Sequence, residues 1–255
     1  DGVMNYDGFM EPVSWFLAGL EKHSDRADMN LKGNSDAFFL MLNNALGKMP
    51  YDCALVSMIQ LSNHDHSRFL TRTNGIVGRI NTHKSEDASS GVKLEVMRQA
   101  IMMQVTLPGA PTVYYGDEVG VCGFTDPDSR RTYPWGHENL ELLEYHRYMN
   151  RWHKVRKELK TGSLIKLISA AGAVCYARVL KDNVSVIVIN TGEYAKKIDI
   201  PLYLTGMRDN AIISRVIYTN GTGYNVGRVT YENDNGYLNM EIEPHSGYLL
   251  VSENL

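Results

Sequence analysis

Over the first 160 residues, short strand-like apolar runs alternate with segments whose apolar residues recur at helical spacing. The run "CALVSMIQL" at 53–61 is almost entirely apolar and leads into a polar turn, which predicts a buried parallel strand. The segment "TVYY" at 112–115 predicts a second short strand. Between them, "GVKLEVMRQAIMMQVTL" at 91–107 predicts a helix, because its apolar residues recur at helical spacing. Those residues are Leu94, Met97, Ile101 and Val105.

A long helix is predicted for 137–159, where six residues form one apolar stripe. They are Leu142, Tyr145, Met149, Trp152, Val155 and Leu159. Strands that alternate with helices are typical of βα units and a parallel sheet. The pattern therefore predicts an α/β layer over residues 1–160. One long polar loop, 71–91, interrupts this layer, and a loop of that length is more often functional than idle.

The pattern changes after about residue 161. Short β-rich runs such as "VCYARVL", "VSVIVIN" and "AIISRVIYTN" follow one another, separated by the turn signals "NTG", "TNGTG" and "DNG". Leu238, Met240 and Ile242 alternate with polar residues, so one face of that strand is predicted to be buried. We predict a small antiparallel β-sandwich over 161–255, with the domain boundary in "KELKTGSL".

Polar residues follow three predicted strands at the point where each strand ends. In βα barrels the carboxyl ends of the strands carry the active site, so these side chains are expected to share one rim and to line a pocket. They are Asn5 and Tyr6 after "DGVM", Asn63, His64 and Asp65 after the apolar run, and Asp117 and Glu118 after "TVYYG".

The stretch "LSNHDHSRFL" at 61–70 admits three interpretations. His64 and His66 would point the same way on an extended segment and bind a metal ion together with Asp65. Alternatively, the same side chains only cap a turn and carry no chemistry. In the third interpretation Asp65 is presented to a polyol substrate and His64 donates a hydrogen bond to it. The residues by themselves leave these three open.

Composition narrows the class of protein. Of 255 residues, 44% are hydrophobic and 22% are charged, as in a soluble globular protein. The net charge of −3 argues against nucleic acid or an anionic membrane as partner, and no apolar run reaches the ~20 residues of a membrane helix. Three widely spaced cysteines predict reduced thiols rather than disulfides. The chain starts without Met, and we expect it to begin inside a longer protein.

Taken in order, three motifs carry a family resemblance. "LSNHDHSRFL" followed by "LPGAPTVYYGDEVGVCGFTDPDSRRTYPW" resembles the alpha-amylase family of glycoside hydrolases (family 13), and within it the neopullulanase, cyclomaltodextrinase and maltogenic amylase subgroup. "DGVMNY" resembles the sixth barrel strand, "NHD" ends the seventh, and "YYGDE" ends the eighth. "EPHSGYLLV" resembles the closing strands of the carboxyl-terminal sandwich. The resemblance thus implies the carboxyl-terminal part of a (β/α)8 TIM barrel at 1–160 and a β-sandwich at 161–255.

The resemblance also implies a retaining mechanism on α-glucans. The family's aspartate nucleophile and glutamate acid follow the fourth and fifth strands, and no motif of either kind is present in this chain. The third acid corresponds to Asp65, which is expected to bind hydroxyls of the reacting ring most tightly in the transition state. The chain alone is therefore expected to be inactive. A transglycosylase of the same family is the nearest alternative activity.

Further roles implied by the resemblance concern binding and support. Substrate-binding residues are expected to be His64, Asn63, Asp126, Arg130, Asn5 and Tyr6, and supporting residues Arg68, Asp117 and Glu118. Arg68 is expected to pair with Glu118, and Trp135 to pack under the active-site loop or, as the alternative, to stack on sugar. A non-catalytic carbohydrate-binding module is a further alternative, which would use exposed tyrosines of the sandwich. The candidates are Tyr203, Tyr218, Tyr224, Tyr231 and Tyr237.

Cofactors and partners follow from the same resemblance. No cofactor and no metal site are expected in this part of the enzyme, while calcium sites are expected in the segments that this chain lacks. The expected partners are an α-glucan oligosaccharide and the missing amino-terminal part of the same enzyme, and a homodimer is left open. The compartment is undecided between cytoplasmic and secreted.

Overall fold

A computed structural model describes residues 2–209 and 211–253, so that Asp1, the first residue of the "DGVMNY" segment, lies outside the described part. Helices dominate up to residue 161 and strands follow from residue 163. The helices are α1 (Glu11–Ala18), α2 (Ser35–Leu46), α3 (Tyr51–Val56), α4 (Phe69–Arg72), α5 (Leu94–Thr106), α6 (Leu140–Val155) and α7 (Lys157–Thr161). No helix in the described part is long and apolar enough to cross a membrane.

The parallel sheet of the first part is narrow and its strands are very short. β1 (Met58–Ile59) pairs in parallel with β2 (Ala110–Pro111), and Met58 is opposite Ala110. Met4 forms a parallel bridge to Met58 on the other side of β1. Three neighbouring parallel positions are what a slice of a (β/α)8 barrel provides. The predicted fold class, part of a TIM barrel followed by a sandwich, is confirmed.

The prediction of a strand over 53–61 is wrong in its first half. Residues Tyr51–Val56 are helical, and only Met58 and Ile59 are in a strand. Pro50 precedes the first turn of α3, a position that suits its fixed φ and missing N–H. The helix ends where Ser57 Oγ donates to the Cys53 carbonyl at 2.7 Å. A short apolar run cannot distinguish strand from helix by periodicity, and that ambiguity caused the error.

The prediction of a strand over 112–115 is displaced by two residues. The strand is Ala110–Pro111, and its ladder ends where the Thr112 amide donates to the Ile59 carbonyl at 3.0 Å. Beyond that point Tyr114 and Tyr115 lie over the guanidinium of Arg68, with ring centroids 4.0 and 4.9 Å from its central carbon. The chain leaves the sheet here because Tyr114 and Tyr115 pack on the buried guanidinium of Arg68.

The predicted long helix is broken at Arg156, whose backbone is extended between α6 and α7. Leu142, Tyr145 and Met149 are buried as predicted, whereas Val155, on the last turn of α6, is exposed. The break lets the Arg156 guanidinium pair with the buried Glu158 carboxylate. The predicted stripe is therefore interrupted at Val155 and resumes at Leu159, which is buried on α7.

The second part is a sandwich of two unequal antiparallel sheets, as predicted. The larger sheet has the order β3-β4-β5-β11-β7-β8, with β9 also paired to β7, and the smaller one pairs β6 with β10. The strands are β3 (Ser163–Ala170), β4 (Ala173–Leu180), β5 (Asn183–Asn190), β6 (Lys196–Pro201), β7 (Ile212–Asn220), β8 (Gly223–Asn225), β9 (Val229–Glu232), β10 (Tyr237–Ile242) and β11 (Ser246–Ser252).

Both faces of the larger sheet are covered. One face packs on the small sheet, where Val186 and Leu250 meet Ile200 and Met240. The opposite face shares a core with the helices of the first part. That core joins Phe16, Met97, Ile101, Tyr176 and Leu249. Central strands buried on both faces do not alternate between apolar and polar residues, which explains the continuous apolar run "VIVI" within "VSVIVIN".

The change from helices to strands falls at Gly162, inside the predicted boundary segment. Its carbonyl accepts hydrogen bonds from Tyr51 and Arg178, and a Cβ at this position would come within 2.5 Å of the Glu158 carbonyl oxygen. Glycine is therefore required where the two parts meet. Because the two parts share a core, the division into 1–160 and 161–255 as separate domains stays a prediction.

Candidate active-site rim

The loop at 62–68, called here the rim loop, is fixed by a buried asparagine. Asn63 Oδ1 accepts from the backbone N–H of Asp65 at 2.9 Å and of His66 at 3.0 Å. Its Nδ2 donates to the Tyr6 hydroxyl at 3.1 Å, which joins the rim loop to the end of the neighbouring strand position. The Asn63 side chain therefore hydrogen-bonds the backbone of its own turn and the residue that follows the neighbouring strand position. These bonds hold the rim loop in place without a ligand.

Asp65 and His64 project from this fixed turn into solvent. Their side chains are 54% and 48% exposed, and His64 Nε2 lies 3.2 Å from Asp65 Oδ1. Beneath them, the buried Ser129 hydroxyl donates to the His64 carbonyl at 2.8 Å. The backbone is thus immobilised while the carboxylate stays accessible, the arrangement that a preorganised binding group needs.

Arg68 holds the base of the rim loop and is fully buried. It pairs with Asp117 at 3.0 Å, so the prediction that it pairs with Glu118 is wrong. It also donates to the Tyr115 carbonyl at 2.6 Å and to the Ser129 carbonyl at 2.9 Å. Burial raises the pKa of the Asp117 carboxyl, and the Arg68 guanidinium opposes that rise. One guanidinium therefore joins the ends of both strands to the loop that follows.

That following loop carries Asp126 and Arg130, which form a half-exposed ion pair. Both lie close to Ser129, the residue whose hydroxyl supports the rim loop. The hydrogen bond from Arg130 to Asp126 is the main cause that raises the pKa of Arg130, and the charges of Asp126, Tyr114 and Asp65 add to it. Arg130 therefore lies close enough to Asp65 for the two charges to interact, so the Asp126–Arg130 pair borders the same rim.

His66 lies in a different environment from His64. Its side chain is buried, with ring centroids 4.9 Å from Tyr6 and 4.4 Å from His23. Burial, with the nearby charges of His23 and Arg72, lowers the pKa of His66 to about 3. The expectation that His64 and His66 point the same way is wrong, because one is buried and the other exposed. Among the described residues, no group of three or more His, Cys, Asp or Glu side chains is arranged to hold a metal ion.

The long polar loop is tied down on both sides of the rim. Arg79 pairs with Asp25 on the segment after α1. Arg131 donates to the Ser85 hydroxyl at 2.7 Å, and the His83 ring stacks on Phe124 at 5.4 Å. These partners lie more than 40 residues apart in sequence for each contact, so sequence reasoning missed them. The anchored loop forms a wall beside the loop that carries Asp126 and Arg130.

Three residues singled out from the sequence differ in exposure. Two are covered to different degrees, and the third is exposed although it was expected to be packed. Asn5 is buried and accepts from the Gly8 N–H at 2.9 Å, and Glu118 is half-buried beside the Tyr133 hydroxyl. The expectation that Trp135 packs under a loop is wrong. Its side chain is 79% exposed and its ring lies 4.4 Å from that of Tyr133.

Several known proteins resemble this chain in sequence. The family model of the alpha amylase catalytic domain matches residues 3–168. An amylopullulanase of Thermoanaerobacterium thermosulfurigenes is 26% identical over 100% of this chain, and neopullulanase 2 of Thermoactinomyces vulgaris is 31% identical over 76% of it. The chain spans 14% of the length of the first relative and 29% of the second.

A solved structure with the same fold is the native form of the debranching enzyme of Nostoc punctiforme. It superposes with a TM-score of 0.74 and 23% sequence identity, over 99% of this chain and 48% of that one. The superposition includes both the helical part and the sandwich, so the two parts are arranged as in a longer protein of this fold.

Proposed function

Because the chain belongs to the alpha-amylase family, we propose that it supplies the sugar-binding rim of a retaining enzyme that hydrolyses α-1,4-glucosidic bonds. The observation that carries the proposal is Asp65, an exposed carboxylate on a loop that Asn63 and Ser129 hold rigid from below. A fixed, accessible acceptor at the carboxyl end of a barrel strand is suited to bind hydroxyls of the reacting sugar.

The proposed role of Asp65 is to stabilise the transition state. As the glycosidic bond breaks, positive charge develops at the anomeric carbon and the ring flattens. A carboxylate that accepts hydrogen bonds from ring hydroxyls binds that state more tightly than the ground state, and such a difference is what raises the rate. We propose that His64, 3.2 Å from Asp65, binds the same ring. The proposed role of the Asp126–Arg130 pair is to bind sugars farther along the chain on the non-reducing side, and its half-exposed side chains support that role.

Bond cleavage itself is assigned to residues outside this chain. A retaining enzyme needs a nucleophile and a proton donor roughly 5–5.5 Å apart. Asp117 is buried against Arg68, and Asp126 is paired with Arg130, so neither is available beside Asp65. We therefore assign the nucleophile and the general acid to the amino-terminal part of the same enzyme, which is the proposed partner of these residues.

Exposed apolar side chains beside the rim support that partner. Val3 and Met4, at the strand position next to β1, are 51% and 47% exposed in this chain. The remaining strands of a closed barrel would cover such side chains and pair with the open edge of the sheet.

The test is complementation. The purified 255-residue chain is assayed on maltooligosaccharides, cyclodextrin and pullulan, alone and together with the amino-terminal part of the enzyme. We expect no turnover alone and turnover with the complement, and product analysis separates hydrolysis from transfer to a second sugar. The matched control is the 255-residue chain with Asp65→Asn, which should restore far less activity when it is mixed with the same amino-terminal part. Clear turnover by the pure chain would overturn the proposal.

A further inference from the structure

The small sheet of the sandwich has one buried and one exposed face. In β10, Leu238, Met240 and Ile242 are buried in the sandwich core, and the residues between them are exposed. The exposed set consists of Tyr237, Asn239 and Glu241, opposite Pro201, Asp199 and Lys197 of β6. The outward face therefore combines an aromatic end with polar side chains.

Two tyrosines stand together at the aromatic end. Tyr203 follows β6 and is 53% exposed, Tyr237 begins β10 and is 45% exposed, and their ring centroids are 5.4 Å apart. The ring planes meet at 59°, so that the rings form an open V rather than a flat surface. Large exposed aromatic rings that touch each other are unusual on a soluble surface and mark a binding site more often than isolated ones do.

The backbone beneath the rings is rigid. Asp234 and Tyr237 exchange two backbone hydrogen bonds of 2.9 Å across a two-residue turn. The turn residues Asn235 and Gly236 have φ of 51° and 85°, as the favoured hairpin turn requires. The Tyr203 amide donates to the Gly236 carbonyl at 2.9 Å, and a Cβ at Gly236 would press within 3.0 Å of the Tyr203 Cβ. The backbone positions from which both rings project are therefore fixed, which lowers the entropic cost of binding.

Polar groups lie next to the rings. Asn239, two residues along the same face from Tyr237, donates to Asp199 Oδ1 at 2.6 Å. A hydrogen bond to Tyr203 is the main cause that raises the pKa of Tyr237, and the charge of Asp199 adds to it. The two hydroxyls, the amide and the carboxylate thus form one group beside the aromatic faces.

We propose that Tyr203, Tyr237, Asp199 and Asn239, called here the tyrosine platform, form a second binding site for α-glucan, separate from the rim. A sugar ring has apolar C–H faces and a polar edge of hydroxyls, and the platform offers aromatic faces bordered by hydrogen-bonding groups. The open V suits two successive rings of a curved, α-linked chain. A flat β-1,4-linked ribbon cannot lie on both rings at once.

The choice of α-glucan as ligand rests on the proposed function of the rim. A platform on the sandwich would hold a long polymer while another segment of it occupies the rim, which raises the local concentration of cleavable bonds. Short oligosaccharides cannot reach both sites and would gain nothing. The platform is therefore expected to matter for polymers and not for short substrates.

The experiment is native affinity electrophoresis in gels with and without soluble starch, using the full chain, or the intact protein if the chain self-associates. The test variant is the double substitution Tyr203→Ala/Tyr237→Ala. Its matched control is Tyr194→Ala, since Tyr194 is 80% exposed on the same sandwich and its ring contacts no other ring in the described part. We expect the double variant to bind starch about tenfold more weakly, because two ring contacts are lost, and the control to bind normally.

A second gel with a soluble β-1,4-glucan should show no retardation of the wild-type protein. Normal starch retardation of the double variant, equal retardation by the β-1,4-glucan, or no retardation of the wild type would each overturn the platform. Retardation that is lost only in Arg130→Ala would place all glucan binding at the rim, which overturns the platform and leaves the proposed function intact. Platform binding without any hydrolysis by the intact protein would contradict the proposed function alone.

Discussion

Two aspartates occupy equivalent places at the ends of adjacent parallel strands. Asp65 lies six residues beyond Ile59, the end of β1, and Asp117 lies six residues beyond Pro111, the end of β2. Asp65 is more than half exposed, whereas Asp117 is buried against Arg68. The same topological position has thus produced a group available for chemistry in one case and a structural support in the other. What packs beneath each carboxylate, rather than its place in the sequence, decides its role.

Arg68 creates the difference between the two ends. It neutralises Asp117, binds two backbone carbonyls and lies beneath two tyrosine rings. Its fixed network leaves the rim loop above it rigid, and no lysine or arginine of the described residues lies within salt-bridge distance of Asp65. The contrast between Asp65 and Asp117 can be tested by removing Arg68, or by changing residues that contribute to only one of the two regions.

Removing the support should have the largest effect. Arg68→Ala leaves Asp117 buried and uncompensated, and loss of one partner of a buried pair typically costs about 3–5 kcal/mol. We expect a loss of that size in the unfolding free energy of the intact protein, measured by denaturant titration. Arg68→Lys should not rescue it, because an ammonium cannot reproduce the planar set of donors. Arg130→Ala is the exposed control and should leave stability nearly unchanged. A similar, small loss in both variants would contradict the account.

A buried histidine away from the rim should give the next largest effect. His146 on α6 is buried, neither ring nitrogen has a partner within the described part, and burial lowers its pKa to about 4. Below pH 6.5 this histidine is protonated in the unfolded chain but stays neutral in the folded chain. The contribution of His146 to the free energy of unfolding is therefore fully present above pH 6.5 and is lost as pH falls toward 4.

A pKa of about 4 in place of 6.5 corresponds to about 3.5 kcal/mol of stability, at about 1.4 kcal/mol per pKa unit. His146→Leu should remove that loss and make the pH dependence of unfolding between pH 6.5 and 4 less steep. The slope that remains is expected from His66 in the rim loop, because burial lowers its pKa as well. An unchanged pH slope in the variant would show that His146 is not held neutral.

The smallest expected effect concerns the outer sugar contacts. Arg130→Ala in the intact enzyme should lower kcat/KM for long maltooligosaccharides about tenfold, as for loss of one charge-assisted contact, and spare short aryl glycosides. The reacting ring is untouched by this change, so only remote binding is lost. Equal losses on both substrates would indicate general damage, not a lost sugar contact.

Sequence reasoning located the rim because the residues that form it follow strand ends in motif order. Asn63 and Tyr6 come together as expected, and Arg130 also lies near Asp65. The sugar-binding roles of these residues stay predictions. The pattern did not reveal Ser129 as a support, because a serine shows no periodic signal and its partner lies 65 residues away. It assigned the wrong acid to Arg68, since adjacent acids differ only in which one the turn directs inward.

Strand limits in the two parts were predictable to different degrees. In the sandwich, the "TNGTG" turn joins β7 and β8 as an antiparallel hairpin, and β10 alternates as its sequence indicates. In the barrel part each strand has only two paired residues, too few for any period, so the apolar run at 53–56 was assigned to a strand although it is helical. The burial of an element by a distant partner is not encoded in its own pattern.

The most direct test compares Asp65→Asn and Asp117→Asn in the intact enzyme, with kcat, KM and the melting temperature measured for both. For Asp65→Asn the account predicts a loss of roughly 2–4 kcal/mol in transition-state stabilisation, or about 30- to 1000-fold in kcat, with KM and melting temperature nearly unchanged. For Asp117→Asn it predicts a lower melting temperature as the primary defect. Near-normal turnover of Asp65→Asn, or a loss of stability that accounts for its lost activity, would contradict the central claim.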